Sequence, residues 1–337
     1  MTGTAARRLL LGMVGAVVAL AAVTATSIAV GSKSIPLGTV VTAMTSYNGT
    51  LDDHVIVHDL RLPRTLLGLA VGAALGLAGT LIQALTRNPL ADPGILGINE
   101  GAALGVVVSV AVTGLTSPLG YIWFAFAGAA VSAVMVYAVG ARGREGASPV
   151  RLVLAGIAFT YVLHGITFAI LLTDTAAFDR WRNWSAGSLA AADPDALMGV
   201  LPFLAVGALL ALALSRSLNA LALGDEAGQA LGVHRGRTRL LGAVAVTLLC
   251  GAATAAAGPI GFVGLMVPYL ARMITGPDYR WLLPYSLVLA PILVLGADIL
   301  GRVLARPSEI GVGVITAFVG APLLIAMVRR RGRLPQL

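Results

Sequence analysis

Lysine is nearly missing from this sequence: of 23 lysines and arginines in 337 residues, only Lys33 is a lysine. A Walker A loop needs Gly-Lys-Ser/Thr so that the lysine can reach the phosphates. Lys33 follows Ser32, so this chain cannot bind ATP in that way. Cysteine is as scarce. Cys250 stands alone inside an apolar run, which excludes a disulfide framework and a cysteine metal site. The four histidines (His54, His58, His164 and His234) show no metal-ligand spacing with Cys or Glu. No Gly-x-Ser-x-Gly elbow with triad partners occurs. Charged residues make up only 11% of the chain, against roughly a quarter in soluble domains.

What is present is apolar. Hydrophobic residues are 58% of the chain and mean hydropathy is +0.90. They come in runs of about 20, the length that crosses about 30 Å of hydrocarbon. Breaks at charged residues and at Gly/Pro delimit ten expected spans, at about 9–30, 62–85, 95–113, 120–140, 151–172, 196–214, 238–257, 259–275, 281–301 and 309–328. Only Gly258-Pro259 separates the seventh from the eighth. The 41 glycines suit close helix packing in lipid. The N-terminal run after Arg7-Arg8 is longer than a signal-peptide core and is read as a retained first helix.

Orientation follows from the arginines. With the N-terminus in the cytoplasm, 16 of the 23 basic residues fall on the cytoplasmic side and 7 outside, and ten spans return the C-terminus to the cytoplasm. The net charge of +8 is then a topology signal rather than a nucleic-acid signal, and the basic tail 329–333 is an anchor near anionic lipid. An echo links Arg64-Thr65-Leu66-Leu67-Gly68, opening span two, with Arg237-Thr238-Arg239-Leu240-Leu241-Gly242, opening span seven. Each precedes an apolar stretch and a Pro/Gly break, as an inverted transporter repeat would.

Three places could carry function. The loop 215–237 is the longest cytoplasmic segment. Within it Leu218–Gly232 has Ala and Leu three and four apart, breaks at Gly224 and Gly232, and acids Asp225 and Glu226 in a first turn; it reads as short helices that dock a partner. At the outer mouth, Arg61, Arg64 and Arg302 are expected at the interface. They are either snorkelling cations or a ring that meets a partner's carboxylates. Asp298, one turn before Arg302 and the one acid assigned to a span, should pair with it. His164, near Thr160 and Thr167 in span five, is either a packing histidine or a pathway residue.

These residues together resemble the FecCD-type permeases of type II ABC importers for ferric siderophores, haem and vitamin B12. The resemblance rests on Leu60-Arg61-Leu62-Pro63-Arg64-Thr65, Gly79 to Gln83, Asn88-Pro89-Leu90-Ala91-Asp92-Pro93-Gly94, Gly258 to Pro268, Ala297-Asp298 and Gly320-Ala321-Pro322, in that order. It implies an all-α integral membrane fold, a single polytopic domain with ten transmembrane helices per subunit, dimeric around a central pathway. The subunit would sit multi-pass in a bacterial cytoplasmic membrane. Expected partners are a second permease subunit (homodimer or heterodimer), two ATPase subunits, an extracytoplasmic substrate-binding protein and lipid, with no nucleic acid. ATP-Mg would belong to the ATPases and no cofactor to this chain, which is not itself an enzyme.

By the same resemblance, Arg61, Arg64 and Arg302 would meet glutamates of the binding protein. Leu218, Leu221, Gly224, Asp225, Glu226, Gly228, Leu231 and Gly232 would couple to the ATPase. Asn88, Pro89 and Leu90 would form one gate, and Ser148, Pro149 and Val150 the other. The vitamin B12 member has small hydroxyl residues at that gate. Pro149 and Val150 depart from this, which leaves siderophore or haem as the expected cargo. An ion-gradient transporter working alone is the rival class; it would need paired acids in the membrane.

Overall fold

In hydrocarbon a backbone amide has no partner except the chain itself, so apolar runs of this length must coil into helices. The computed structural model describes residues 3–115, 117–140, 149–190 and 192–329, and among these residues only helices and connecting turns occur. The order is α1 (Gly3–Ala29), α2 (Leu37–Thr45) and α3 (Asp52–Val55), which runs through a π-helical turn (Ile56–Arg61) into α4 (Leu62–Thr86). A 3₁₀ turn (Pro93–Leu96) precedes α5 (Ile98–Thr113), α6 (Pro118–Gly140), α7 (Pro149–Leu171), α8 (Thr175–Ser185) and α9 (Pro194–Ala213). The chain closes with α10 (Ser215–Ala222), α11 (Asp225–Ala230), α12 (Arg235–Ala257), α13 (Val263–Thr275), α14 (Tyr279–Leu304) and α15 (Val312–Arg329).

Each of the ten apolar runs is a helix. Seven helical segments are long and apolar enough to cross a membrane: Ala6–Ala29, Asp52–Thr86, Leu119–Gly140, Val150–Leu171, Pro194–Ala213, Arg235–Ala257 and Tyr279–Leu304. Three more are apolar but shorter: Ile98–Thr113, Val263–Thr275 and Val312–Ala326. At about 1.5 Å per residue, α13 reaches only about 20 Å. It is short because the break after Gly258 is wider than the sequence reading allowed. Gly258 ends α12 at φ 73°, and Phe262 holds a left-handed φ of 67° before α13 can start. Irregular backbone at this depth must find partners within the protein. The Ala257 carbonyl accepts from the Ser188 amide and the Gly187 carbonyl from the Gly313 amide, so three discontinuities satisfy one another.

Helix α4 is the axis of the domain. Gly68, Gly72, Gly76 and Gly79 recur along it, and the last three bring it against backbone: Pro291 and Ala290, then Ser286, then Gly264. Close approach of this kind replaces hydrophobic expulsion as the packing force between helices in lipid. Two polar bonds lock the register. Thr80 Oγ1 donates to Ser286 Oγ at 2.9 Å, and Gln83 Nε2 donates to the Leu265 carbonyl at 3.2 Å.

Gly79 therefore tolerates no side chain, since an added Cβ would land on the Gly264 carbonyl oxygen. Gly79→Ala is expected to lower stability by about 1–3 kcal/mol through overpacking. Gly296→Ala, whose added Cβ meets nothing within 4 Å, is neutral or slightly stabilising by helix propensity. Thermal melting in detergent separates the two.

Candidate functional site

The end of the domain where α1 stops is built around a problem of unpaired carbonyls. Helix α1 ends at Ala29, and its last carbonyls have no intrahelical donors. Two arginines supply them, and a third serves the chain just beyond the helix. Arg61 Nη1 donates to the Ile28 and Ala29 carbonyls (3.0 and 2.6 Å) and its Nη2 to that of Lys33. Arg302 Nη1 donates to the Ser27 and Val30 carbonyls (3.0 and 2.9 Å). Arg306 Nη2 donates to the Gly31 carbonyl at 2.7 Å. Cations at a helix C-terminus also oppose its dipole.

Asp298 ties this cap to the axis. Its carboxylate, wholly buried, accepts from Arg64 Nη2 (2.7 Å) and Nε (3.0 Å) and pairs with Arg302 Nη2 at 2.8 Å. Arg64 Nη1 reaches Glu309 Oε2 at 2.6 Å, so four helices or their flanks meet in one charge cluster. Ser27 Oγ and Thr65 Oγ1, 2.9 Å apart, extend it between α1 and α4. The Asp298–Arg302 pair is the one the sequence predicts. Arg61, Arg64 and Arg302 are only 5%, 9% and 2% exposed and turn inward onto carbonyls and carboxylates. They do border a cavity of about 280 Å³ with Lys33, Leu60 and Glu309.

At the opposite end, α10 and α11 occupy the predicted loop. Gly224 (φ 112°) and Gly232 (φ 79°) interrupt and end them. Leu218, Leu221 and Gly228 face inward, whereas Leu223 and Leu231 are largely exposed, as is Glu226; Asp225 opens α11. A clip fixes α10 to α14. Asn219 Nδ2 donates to Asp278 Oδ1 (2.7 Å), and Asn219 Oδ1 accepts from the Tyr279 amide (2.9 Å). Hydrogen bonds from the Arg280 side chain hold the Asp278 carboxyl down at about 2, so the clip stays ionised from neutral pH down to well below pH 4.

Arg87 joins α10 to the segment 88–90 that the sequence reading takes as one gate. It caps α4 in the left-handed conformation (φ 50°) and its Nη2 donates to the Leu221 carbonyl at 2.9 Å. Asn88, Pro89 and Leu90 follow directly, with Asn88 Oδ1 accepting from the Leu90 amide. Sequence reasoning missed Arg87 and Asn219, whose partners lie 134 and 59 residues away. Of the second gate, Ser148 lies outside the described residues, Pro149 opens α7 and Val150 is exposed.

On α7, Thr160 is half-buried and Thr167 buried. The His164 side chain is half exposed, with Nδ1 3.4 Å from Glu100 Oε2 and its ring tilted against Phe168 at 4.6 Å between centroids. Glu100 corrects the sequence reading. It lies in the first turn of α5, so Asp298 is not the one acid within an apolar helix. Its partner is a histidine rather than a second carboxylate. Among the described residues no group of His, Cys, Asp and Glu could hold a metal ion.

Comparison with known proteins places these features in context. The sequence matches the FecCD transport family over residues 18–330. It is 48% identical over 336 residues to the ferric enterobactin transport system permease protein FepD of Escherichia coli K12, covering 99% of both chains. It is 40% identical over 307 residues to the iron(3+)-hydroxamate import system permease protein FhuB of Bacillus subtilis 168, covering 91% of this chain and 80% of the other. Among solved structures, a metal-chelate type ABC transporter in an inward-facing conformation superposes with a TM-score of 0.81 at 27% identity, covering 94% and 98% of the two chains.

Removing one partner of a buried ion pair costs about 3–5 kcal/mol, because the other charge is stranded. Asp298→Asn is therefore expected to lower stability by about that much in detergent. Lys33→Gln, which removes an exposed pair with Asp53, should cost no more than about 1 kcal/mol. Equal effects would place the outer cluster in solvent.

Proposed function

Because the chain belongs to the FecCD transport family, we propose that it is the membrane-spanning permease subunit of an ATP-binding-cassette importer that carries an iron-siderophore delivered by a binding protein. The observation that carries this reading is the end-to-end likeness to a ferric enterobactin permease. The seven long apolar helices and three shorter ones would together make ten crossings, with both termini in the cytoplasm of a bacterial cell. Two such subunits would enclose the pathway. The long exposed apolar side chains of α7, such as Leu154, Ile157, Tyr161 and Ile166, suit a face that another subunit covers.

Work would enter at α10–α11. The exposed Leu223, Leu231 and Glu226 face away from the domain and would sit in a groove of the ATPase, which binds ATP-Mg that this chain has no loop to hold. Movement of α10 would pass through the Arg87–Leu221 bond to Asn88, Pro89 and Leu90 at the gate. At the outer face, glutamates of the binding protein would reach Arg61, Arg64 and Arg302 through the 280 Å³ cavity they border, in competition with Asp298, Glu309 and the α1 carbonyls. The permease would open and close; each change must be driven by partners that bind its two states unequally.

The secondary-transporter reading lacks support at the acids. Asp298 is neutralised by two arginines, and the carboxylate of Glu100 has a histidine rather than a second carboxylate beside it, so these two acids among the described residues form no carboxylate pair for a sodium or proton site. Reconstituted in vesicles, the lone chain should accumulate no ferric siderophore under a proton or sodium gradient. Accumulation should require the ATPase, ATP and the binding protein. Gradient-driven uptake by the chain alone would overturn the reading. Deleting Leu218–Gly232 should release the ATPase during purification while the permease still inserts; co-purification of the ATPase with that variant would remove the docking role from this loop.

A further inference from the structure

Four aromatic rings stand in a row across α8 and α7. On α8, the ring centroids of Phe178 and Trp181 are 6.3 Å apart. Trp181 meets Phe168 of α7 edge to face, at 5.5 Å and 74°. Phe168 meets His164, one turn further along α7, at 4.6 Å. The row ends at Glu100 of α5, whose Oε2 lies 3.4 Å from His164 Nδ1. Phe168 and Phe178 are 39% and 40% exposed, so part of each ring is left without a neighbour.

The polar end of the row tells what this surface faces. A belt of aromatics at a membrane surface would account for Phe178 and Trp181. It does not account for an ionisable pair deeper in the same row. His164 stands seven residues, about 10 Å, inside the end of α7 at Leu171. The His164 and Glu100 side chains are 50% and 30% exposed. Lipid against such a pair is costly, and a dry protein contact would strip both groups of water. This edge of α7 therefore borders water or a polar ligand. The other edge differs. Val162 and Ile166, each two residues and so about 160° round the helix from His164, are exposed and wholly apolar, which suits the second subunit.

We propose that the row is a cargo subsite, in which the rings of Phe178, Trp181, Phe168 and His164 take the planar aryl groups of an iron chelate whose metal-binding groups are carried on aromatic rings. The inference deepens the proposed transport function and rests on it, since it sets this edge of α7 in the pathway. Aromatic rings hold a planar ring by offset and edge-to-face contacts that an aliphatic group of the same size cannot make. The subsite thereby distinguishes aryl chelates from aliphatic ones.

The test uses the intact transporter, purified in detergent with its ATPase subunits and kept free of nucleotide. Two radiolabelled ferric chelates on the same tripodal backbone are compared, one bearing catechols and the other acetohydroxamates. Wild type should bind the catecholate at least about fivefold more tightly. One aromatic pair is worth between about twofold and about twelvefold in affinity, so Phe168→Leu with Phe178→Leu should weaken the catecholate by more than about fivefold and leave the hydroxamate unchanged. Phe168→Tyr with Phe178→Tyr, which keeps both rings, should stay within about twofold of wild type. His164→Cys should react with a charged, water-soluble thiol reagent, and the catecholate should slow that reaction. Equal affinity of wild type for the two chelates overturns the proposal, as does an unchanged catecholate affinity in the leucine variant at unchanged melting temperature. So does a His164→Cys thiol that the reagent never reaches, which would show that lipid or protein covers the row. Binding and labelling need no ATP. A transporter that discriminates the chelates through these rings yet takes up neither would sink the transport reading alone.

Discussion

A carbonyl in hydrocarbon that the chain does not satisfy stays unsatisfied, and much of this structure is arranged around that constraint. Two places are exposed to it: the end of α1, and the three breaks that meet near Gly187, Gly258 and Gly313. The breaks solve it with backbone, amide to carbonyl. The end of α1 solves it with arginines. That choice has a consequence, because a buried guanidinium must itself be neutralised. Asp298 neutralises Arg302, which caps the carbonyls, and Arg64 bridges that carboxylate to Glu309.

The two ends of the domain are held by different numbers of polar bonds. Where α1 stops, charge-assisted bonds converge on a buried carboxylate, and losing any one strands the others. At the opposite end, α10 is held by the amide–carboxylate clip at Asn219 and by the bond from Arg87 to backbone. Bonds of this kind, with one charged partner, are worth about 1.5–3 kcal/mol each net. The proposed motor would pull at the end with the fewer bonds.

Much of this was legible in the residues. Apolar runs of about 20 gave the helices, and the Gly/Pro breaks gave their ends to within a few residues, because both signals are local. Gly224 and Gly232 mark the ends of α10 and α11 for the same reason. What was not legible depended on distance along the chain. Arg61, Arg64 and Arg302 could be located but not their burial, since that is set by α1 and by Glu309, 245 residues from Arg64. Glu100 fell inside the expected span 95–113 and was still not counted as a membrane acid, and its partner His164 lies 64 residues on. The outer helices α2 and α8 were not expected, as short amphipathic segments carry a weak periodic signal.

The position of Arg87 shows why such distant pairs matter to mechanism. A left-handed residue at a helix end is usually glycine, and an arginine there accepts a conformational cost of roughly 1 kcal/mol. A cap alone would not need the long side chain. Here the backbone turns the chain into the Asn88–Leu90 loop while the guanidinium crosses to the Leu221 carbonyl, so one residue joins that loop to α10. The strained φ fixes the direction in which the side chain leaves, and the bond to backbone makes the connection independent of which residue stands at 221. In the function proposed above, a displacement of α10 would reach the 88–90 loop through the Arg87–Leu221 bond and the last turn of α4. The glycine-lined remainder of that helix, packed on backbone at Gly72, Gly76 and Gly79, stays where it is.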